Sequence, residues 1–359
     1  MNTRWFNSLN SVQPCWICII INPAAITDTI EAELVALGLQ PHRDSESCFL
    51  LYSENWTAPW RNIIASLSRY KLANNAKACT YPGDAQPSIG EIKQKLRSLE
   101  EVSEICENMW LIDVIKEDRL ICHFLSVVDS NGKIFGHESL VRAINADGSF
   151  INGGEIFKAS KILRIEHLID RHLHELAIKC FTEDHLTGFL FINLVPGFIQ
   201  RPEFYFGGLS EAARHYGMNA KSIVLDCTNS ENPRDIHHLK AITQYCRSQG
   251  YLVSLDDIET PHTARRILKE MQPDFIKIDM RLIQRADQPQ AMATIRELVE
   301  MTRDNACSVI AEGVETETTL KLLENADIGL FQGYLFSPPP EMATPPKANA
   351  SATTHQNRA

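Results

Sequence analysis

Two adjacent carboxylates, Asp256 and Asp257, close a short apolar run from Leu252 to Leu255, and Lys277 and Asp279 bracket the end of a second run, Phe275 to Ile278. Paired acids beside a lysine are the donors of a metal site that faces a phosphate. Carboxylate oxygens suit hard cations, and an ammonium holds an anionic oxygen or an attacking water. Between the two runs, Ala264, Ile267, Leu268 and Met271 share one face of a helical segment, so the unit reads strand, helix, strand. A parallel pair joined in this way is covered on both faces and brings its polar groups out at the carboxyl ends of the strands.

Other apolar runs also end in polar residues: Glu138, Asn193, Asp226, Glu312 and Gln332. Helix capping explains one Asp or Asn at such a place, but not a row of them at successive strand ends. Repeated βα units that close on themselves give a TIM-type (β/α)8 barrel, and such barrels build their sites at this face. Oxygen donors without Cys or His favour Mg²⁺ or Mn²⁺ over zinc. Asp256 and Asp257 could bridge two ions, and a two-metal site stabilises both the attacking and the leaving oxygen of an in-line displacement at phosphorus. In that chemistry Lys277 holds the phosphate or the water, Glu312 ligates a metal or takes a proton, and Arg142, downstream of Glu138, pairs with a phosphate oxygen.

The elements that must position these residues fall into an α/β chain of several parts. Residues 1–85 alternate strands (Trp16 to Ile21, Cys48 to Tyr52) with helices (Ile26 to Leu37, Trp60 to Leu72), which predicts a small α/β domain without a chemical motif, sensory or regulatory in role. Asn74 to Ser88 reads as a boundary loop. Over 86–114, Ile89, Ile92, Leu96, Leu99, Val102, Ile105 and Met109 recur at steps of three and four, predicting a connector helix of about six turns. Such a helix either packs on a neighbouring domain or relays its state, through a homodimer or a protein partner.

The barrel is expected over 115–340. It opens with a hairpin around Asp129, Ser130, Asn131 and Gly132, followed by a Gly-rich loop at Asn152 to Gly154 and a long helix from Ile165 to Cys180. His167, His172 and His174 on that helix lack the HExxH spacing and are expected to be solvated. Residues 341–359 have the composition of a disordered tail.

A formal net charge of -10 argues against broad nucleic-acid binding but leaves room for a small anion held through metals. No apolar run approaches the roughly 18 residues of a membrane span, and the run Cys15 to Ile21 stops at Asn22 and Pro23 without a basic lead, so a cytoplasmic protein is expected. The ten cysteines are scattered, and the lone Cys15, Cys18 pair reads as part of a buried strand.

The motifs carry a resemblance. Glu138-Ser139-Leu140-Val141-Arg142 is similar to the signature of the EAL family, the bacterial cyclic di-GMP phosphodiesterase domains, with Ser in place of Ala. Phe191-Ile192-Asn193-Leu194, Leu255-Asp256-Asp257, Lys277-Ile278-Asp279, Ala311-Glu312-Gly313-Val314-Glu315-Thr316 and Gln332-Gly333-Tyr334-Leu335-Phe336 follow in the family's order. The resemblance implies a TIM-like barrel with an antiparallel first strand, two Mg²⁺ or Mn²⁺ ions, and hydrolysis of cyclic di-GMP to linear pGpG. It implies Glu138, Asn193, Asp226, Asp256, Asp257 and Glu312 as metal ligands, Lys277 as the residue that orients water with Glu312 and Asp279 beside it, and Arg142, Gln332 and Glu315 on the substrate side.

The sequence departs from the family pattern at four places. Asp226 stands for a Glu and is shorter by one methylene, roughly 1.5 Å. The glycine-containing lid after the paired acids is Ile258-Glu259-Thr260-Pro261, its anchoring Glu is Asn229, and a Gln-Pro pair is Leu125-Ser126. Two readings follow: hydrolysis of cyclic di-GMP with lowered turnover, or a catalytically silent EAL-like module acting as a cyclic di-GMP receptor or interaction scaffold.

Overall fold

In the computed structural model the described residues are 96–337 apart from 200, 229–235 and 304, together with 15–21, 27–45, 48–53, 62–63, 76–82, 86, 88 and 91–92. The expected helix Trp60 to Leu72, Asn229 and the tail 341–359 therefore lie wholly or mostly outside the described residues. The chain divides into two compact units, one of Met1–Leu120 with Ala143–Glu166 and one of Ile121–Arg142 with His167–Ala359.

The first unit contains β1 (Cys15–Ile21), α1 (Thr27–Ala36), β2 (His42–Ser45), β3 (Cys48–Ser53), β4 (Ala76–Pro82), β5 (Arg97–Ser98), α2 (Leu99–Asn108) and α3 (Trp110–Lys116). Its five strands run in the order β2-β3-β1-β4-β5, with β1 antiparallel to both β3 and β4. Ile17, Ile19 and Ile21 of β1 pack with Ile30 and Leu34 of α1 and with Leu99, Val102 and Cys106 of α2.

Two expectations are corrected in this unit. The stretch read as a boundary loop contains β4, which pairs along the whole of β1 and buries Ala76 and Ala78 in one apolar cluster and Cys79 in another. The single connector helix is interrupted: Ser98 accepts from Glu101 N while the Glu101 side chain reaches back to Ser98 N, and this capping box starts α2 afresh after β5. The apolar seam of α2 is buried within the first unit's own core.

The second unit is built on β6 (Leu120–Asp129), β7 (Ile134–Ile144), α5 (Glu166–Glu183), β9 (Phe189–Leu194), α6 (Pro202–His215), β10 (Ile223–Thr228), α7 (Ile236–Ser248), β11 (Leu252–Ile258), α8 (Pro261–Met271), β12 (Phe275–Ile278), α9 (Met280–Ile283), α10 (Pro289–Arg303), β13 (Ser308–Ala311), α11 (Glu317–Glu324) and β14 (Leu330–Gln332), while β8 (Phe150–Asn152) and α4 (Gly153–Leu163), which lie between β7 and α5 in the chain, belong to the first unit. The Gly-rich stretch expected as a loop is instead the first turn of α4, because the Asn152 side chain accepts from Glu155 N and caps it.

Neighbouring strands β6-β14-β13-β12-β11-β10-β9-β7 form a continuous series, and the pairing of β6 with β7 closes it into an eight-stranded barrel. β6 is antiparallel to β14, while the pairs from β7 and β9 through to β13 and β14 are parallel. The antiparallel first strand is thus present.

Strand alternation makes the site. Phe191, Val224, Phe275 and Ile310 gather with Val127 in one apolar cluster, lined also by Phe135, Phe189, Leu252 and Leu330. Two positions further along the same strands stand Asn193, Asp226, Lys277, Glu312 and Gln332. Successive side chains of a strand point to opposite faces, so each strand sets one residue into an apolar floor and the next inward residue into the layer above it. Phe191 and Phe275 meet edge to face at 5.6 Å between ring centres in that floor.

Candidate functional site

Lys277 organises the layer above the floor. Its side chain is 0 % exposed, and Nζ lies 2.6 Å from Glu312 Oε1, 2.9 Å from Glu138 Oε2, 2.9 Å from Asp226 Oδ2 and 3.7 Å from Asp256 Oδ1. Four acids around one buried ammonium hold its pKa well above the ordinary lysine range despite the opposing effect of burial. Glu138 is fixed from two more sides. Oε1 accepts from Asn193 Nδ2 at 3.1 Å, and Oε2 accepts from Gln332 Nε2 at 2.8 Å. Burial raises the Glu138 pKa, but Lys277 and these amides outweigh burial and leave it low, so Glu138 is a carboxylate.

The remaining acids are less well compensated. Burial, with Asp256 and Glu138 nearby, pushes Asp226 up to about 7 against the pull of Lys277. Burial and Asp256 push Asp257 up to about 6, and burial holds Glu312 well above the carboxylate range. Five acids share one lysine, and this surplus of negative charge calls for a cation.

Three carboxylates gather most closely: one oxygen each from Asp256, Asp257 and Glu312 lie within 4.8 Å of one another. Both oxygens of Asp226, and Oε1 of Gln332, are buried without a hydrogen-bond donor in line, although Asp226 is ion-paired to Lys277. Oxygen donors, uncompensated charge and orphaned acceptors together fit a hard divalent cation. The backbone supports this placing. Asp257 adopts φ +57° where β11 and β12 slip register, and its amide donates to Asp256 Oδ1 at 2.9 Å. Gly313 follows Glu312 at φ +65°, and a Cβ there would stand 2.5 Å from Met280 Cβ, so only glycine allows this turn.

Of the residues expected at the site, Glu138, Asn193, Asp226, Asp256, Lys277, Glu312 and Gln332 are joined directly, and Asp257 adjoins them. Asp279 lies beside Asp257 but turns both oxygens to Arg281. Two residues stand apart among the described contacts. Arg142 Nη1 donates to Val141 O at 2.8 Å, and Glu315 Oε1 accepts from Gln284 Nε2 at 3.3 Å.

His174 corrects an expectation. It is 2 % exposed rather than solvated, with Nε2 3.3 Å from the Asn193 carbonyl oxygen and 3.7 Å from Asp170 Oδ1. Its i, i+4 relation to Asp170 was the signal that placed both on one face of α5. Glu259 and Arg281 were likewise not singled out as partners.

The architecture and this cluster define a TIM-type barrel with an acidic, cation-competent site at the carboxyl ends of its strands. Residues 108–339 match the family profile of the EAL domain, and the chain belongs to the EAL domain family. It is 26% identical over 233 residues to a probable cyclic di-GMP phosphodiesterase of Escherichia coli K12, PdeB, covering 62% of this chain and 43% of that protein. An uncharacterized protein of Mycobacterium tuberculosis, Rv1354c, is 25% identical over 231 residues, covering 63% and 37%. The chain thus spans about two-fifths of the length of these relatives.

Among solved structures, a standalone versatile EAL protein from Vibrio cholerae O395 in its c-di-GMP-bound form matches with a TM-score of 0.54 and 26% identity, over 60% of this chain and 90% of that one. A Vibrio cholerae LapD S helix-GGDEF-EAL chain bound to c-di-GMP matches at TM-score 0.56 and 16% identity, over 92% of this chain and 91% of that one.

Proposed function

We propose that the barrel hydrolyses one phosphodiester bond of cyclic di-GMP, giving linear pGpG, with Mg²⁺ or Mn²⁺ at the site. The observation that carries this is the convergence of Asp256, Asp257 and Glu312 within 4.8 Å beside a fully buried Lys277. Glu138, Asn193, Asp226, Asp256, Asp257 and Glu312 would hold two ions, which when bound would supply positive charge to the phosphate oxygens. Lys277 Nζ donates to the attacking water and fixes its direction. Glu312, whose Oε1 lies 2.6 Å from Lys277 Nζ, takes the proton. Gln332 and Asn193 hold Glu138 still, and the aromatic floor keeps bulk water from beneath the site. Arg142 and Glu315 serve the substrate side.

Two relatives support this reading: the Escherichia coli protein is a probable cyclic di-GMP phosphodiesterase, and the Vibrio cholerae EAL protein holds c-di-GMP. Within the chain we assign residues 1–85 and the segment up to 114 a regulatory role, acting in the cytoplasm and open to a protein partner or a second copy. The LapD match over 92% of the chain supports a GGDEF-like fold for this part. No helix among the described residues is long and apolar enough to cross a membrane.

A second reading, a silent receptor of cyclic di-GMP or a scaffold, is favoured by the shorter Asp226 and the glycine-free segment Ile258 to Pro261. Incubating the full-length protein with cyclic di-GMP and Mn²⁺, then separating bound nucleotide by chromatography, distinguishes the two. Linear product supports the enzyme, whereas retained intact nucleotide supports the receptor and neither supports the scaffold.

A further inference from the structure

The segment after the paired acids is held as a strap rather than hinged. Ile258 returns to the sheet opposite Ile278, and its carbonyl accepts from Asp279 N at 3.3 Å. Two residues on, Thr260 caps α8 and Pro261 opens it. Both ends of the strap are therefore fixed without glycine, and Glu259 between them reaches outward to Arg281 Nη2. The same guanidinium grips Asp279 with two further bonds, Nε to Oδ1 and Nη2 to Oδ2, each 3.0 Å, while Arg281 N donates to Asp279 Oδ1 at 2.6 Å.

We infer that Arg281 is a positioning residue for the cation site: one guanidinium joins the strap after β11 to the turn after β12, and so keeps Asp257 aimed at Asp256 and Glu312. This rests on the reading of the acidic cluster as a cation site. An isolated exposed ion pair contributes little. Arg281 is 66% exposed, but the Asp279 carboxylate it grips is only 5% exposed. The grip is a planar fork, and the Asp279 to Ile258 backbone bond closes the same ring of contacts. Asp257 sits at a left-handed φ, one residue before the strap, and this ring of contacts holds the backbone on either side of that turn. Residues that orient ligands in this way change metal affinity by roughly 10- to 100-fold when removed.

The test uses full-length wild type, Arg281→Ala, Arg281→Lys, Glu259→Gln and the Arg281→Ala/Glu259→Gln pair. Mn²⁺ is titrated by calorimetry without nucleotide, and amide hydrogen exchange is followed at 257–260. Arg281→Ala is expected to weaken Mn²⁺ about tenfold and to speed exchange in the strap. Glu259→Gln gives a smaller loss, the double variant is no worse than Arg281→Ala, and Arg281→Lys recovers only part because an ammonium cannot fork. Wild-type Mn²⁺ affinity in Arg281→Ala, or losses that add in the double variant, overturn the inference. If the wild type takes up no Mn²⁺, the functional reading fails on its own, and exchange then decides. Faster exchange in Arg281→Ala keeps the clamp, and unchanged exchange removes it.

Discussion

Under the proposed hydrolysis, Asp226 is the side chain on which turnover would depend most sharply. Its carboxylate is fully buried, lies 2.9 Å from Lys277, and has no hydrogen-bond donor in line with either oxygen. A ligand one methylene short sets a cation off by about 1 Å, and such a misplacement can cost on the order of a hundredfold in rate. Asp226→Glu is therefore expected to raise kcat about tenfold or more with little change in KM, read by steady-state kinetics with Mn²⁺. An unchanged kcat would move the cause of any lowered turnover to the strap. Lys277 gives the opposite case. Lys277→Met leaves Glu138, Asp226, Asp256 and Glu312 without their ammonium, and removing one partner of a buried ion pair destabilises by about 3 to 5 kcal/mol. Thermal unfolding of Lys277→Met should show a large drop in chelator that Mn²⁺ partly reverses, because the cation replaces the lost charge.

At the scale of the element, α5 carries an unused acid into the core behind β9. Asp170 is 1 % exposed, and burial pushes it up to about 6, against the pull of His174. A carboxyl whose folded pKa is raised favours folding most below its ordinary value near 3.8, and that contribution is lost as pH rises through about 6. At neutral pH the ionised form costs about 3 kcal/mol. Asp170→Asn is expected to melt higher than wild type at pH 7 to 8 and level with it below pH 4. Equal melting temperatures across that range would show that Asp170 is neutralised by its surroundings.

The elements also explain what could be read beforehand. Asn193, Asp226, Lys277, Glu312 and Gln332 were legible because a period of two, an apolar inward residue followed by a polar one, survives in the sequence of these five strands. His174 was not, because the type of a residue predicts exposure and only the i, i+4 partner Asp170 reverses that. The connector helix was misread because three-and-four spacing continues through Ser98, whereas the capping box with Glu101 is a local signal that the wider periodicity hides. The Arg281 fork is not legible in the sequence because Glu259 and Asp279 follow different strands, and nothing local to either predicts their approach.

For the whole molecule, cation binding and folding are linked. A ligand that binds only the folded barrel stabilises it by about 2.7 kcal/mol at a hundred times its dissociation constant. Mn²⁺ should therefore raise the melting temperature of the full-length protein, and Glu138→Ala should reduce that rise. A shift of equal size in Glu138→Ala would place the cation elsewhere. In the proposed reaction this barrel uses water to open one phosphodiester bond of cyclic di-GMP. Turnover in ¹⁸O-enriched water with Mn²⁺, with the linear dinucleotide analysed by mass spectrometry, reads that step. One ¹⁸O in the product phosphate, absent from the Glu138→Ala reaction, is the predicted result. Intact nucleotide at high protein concentration, or linear product without the label, would contradict it.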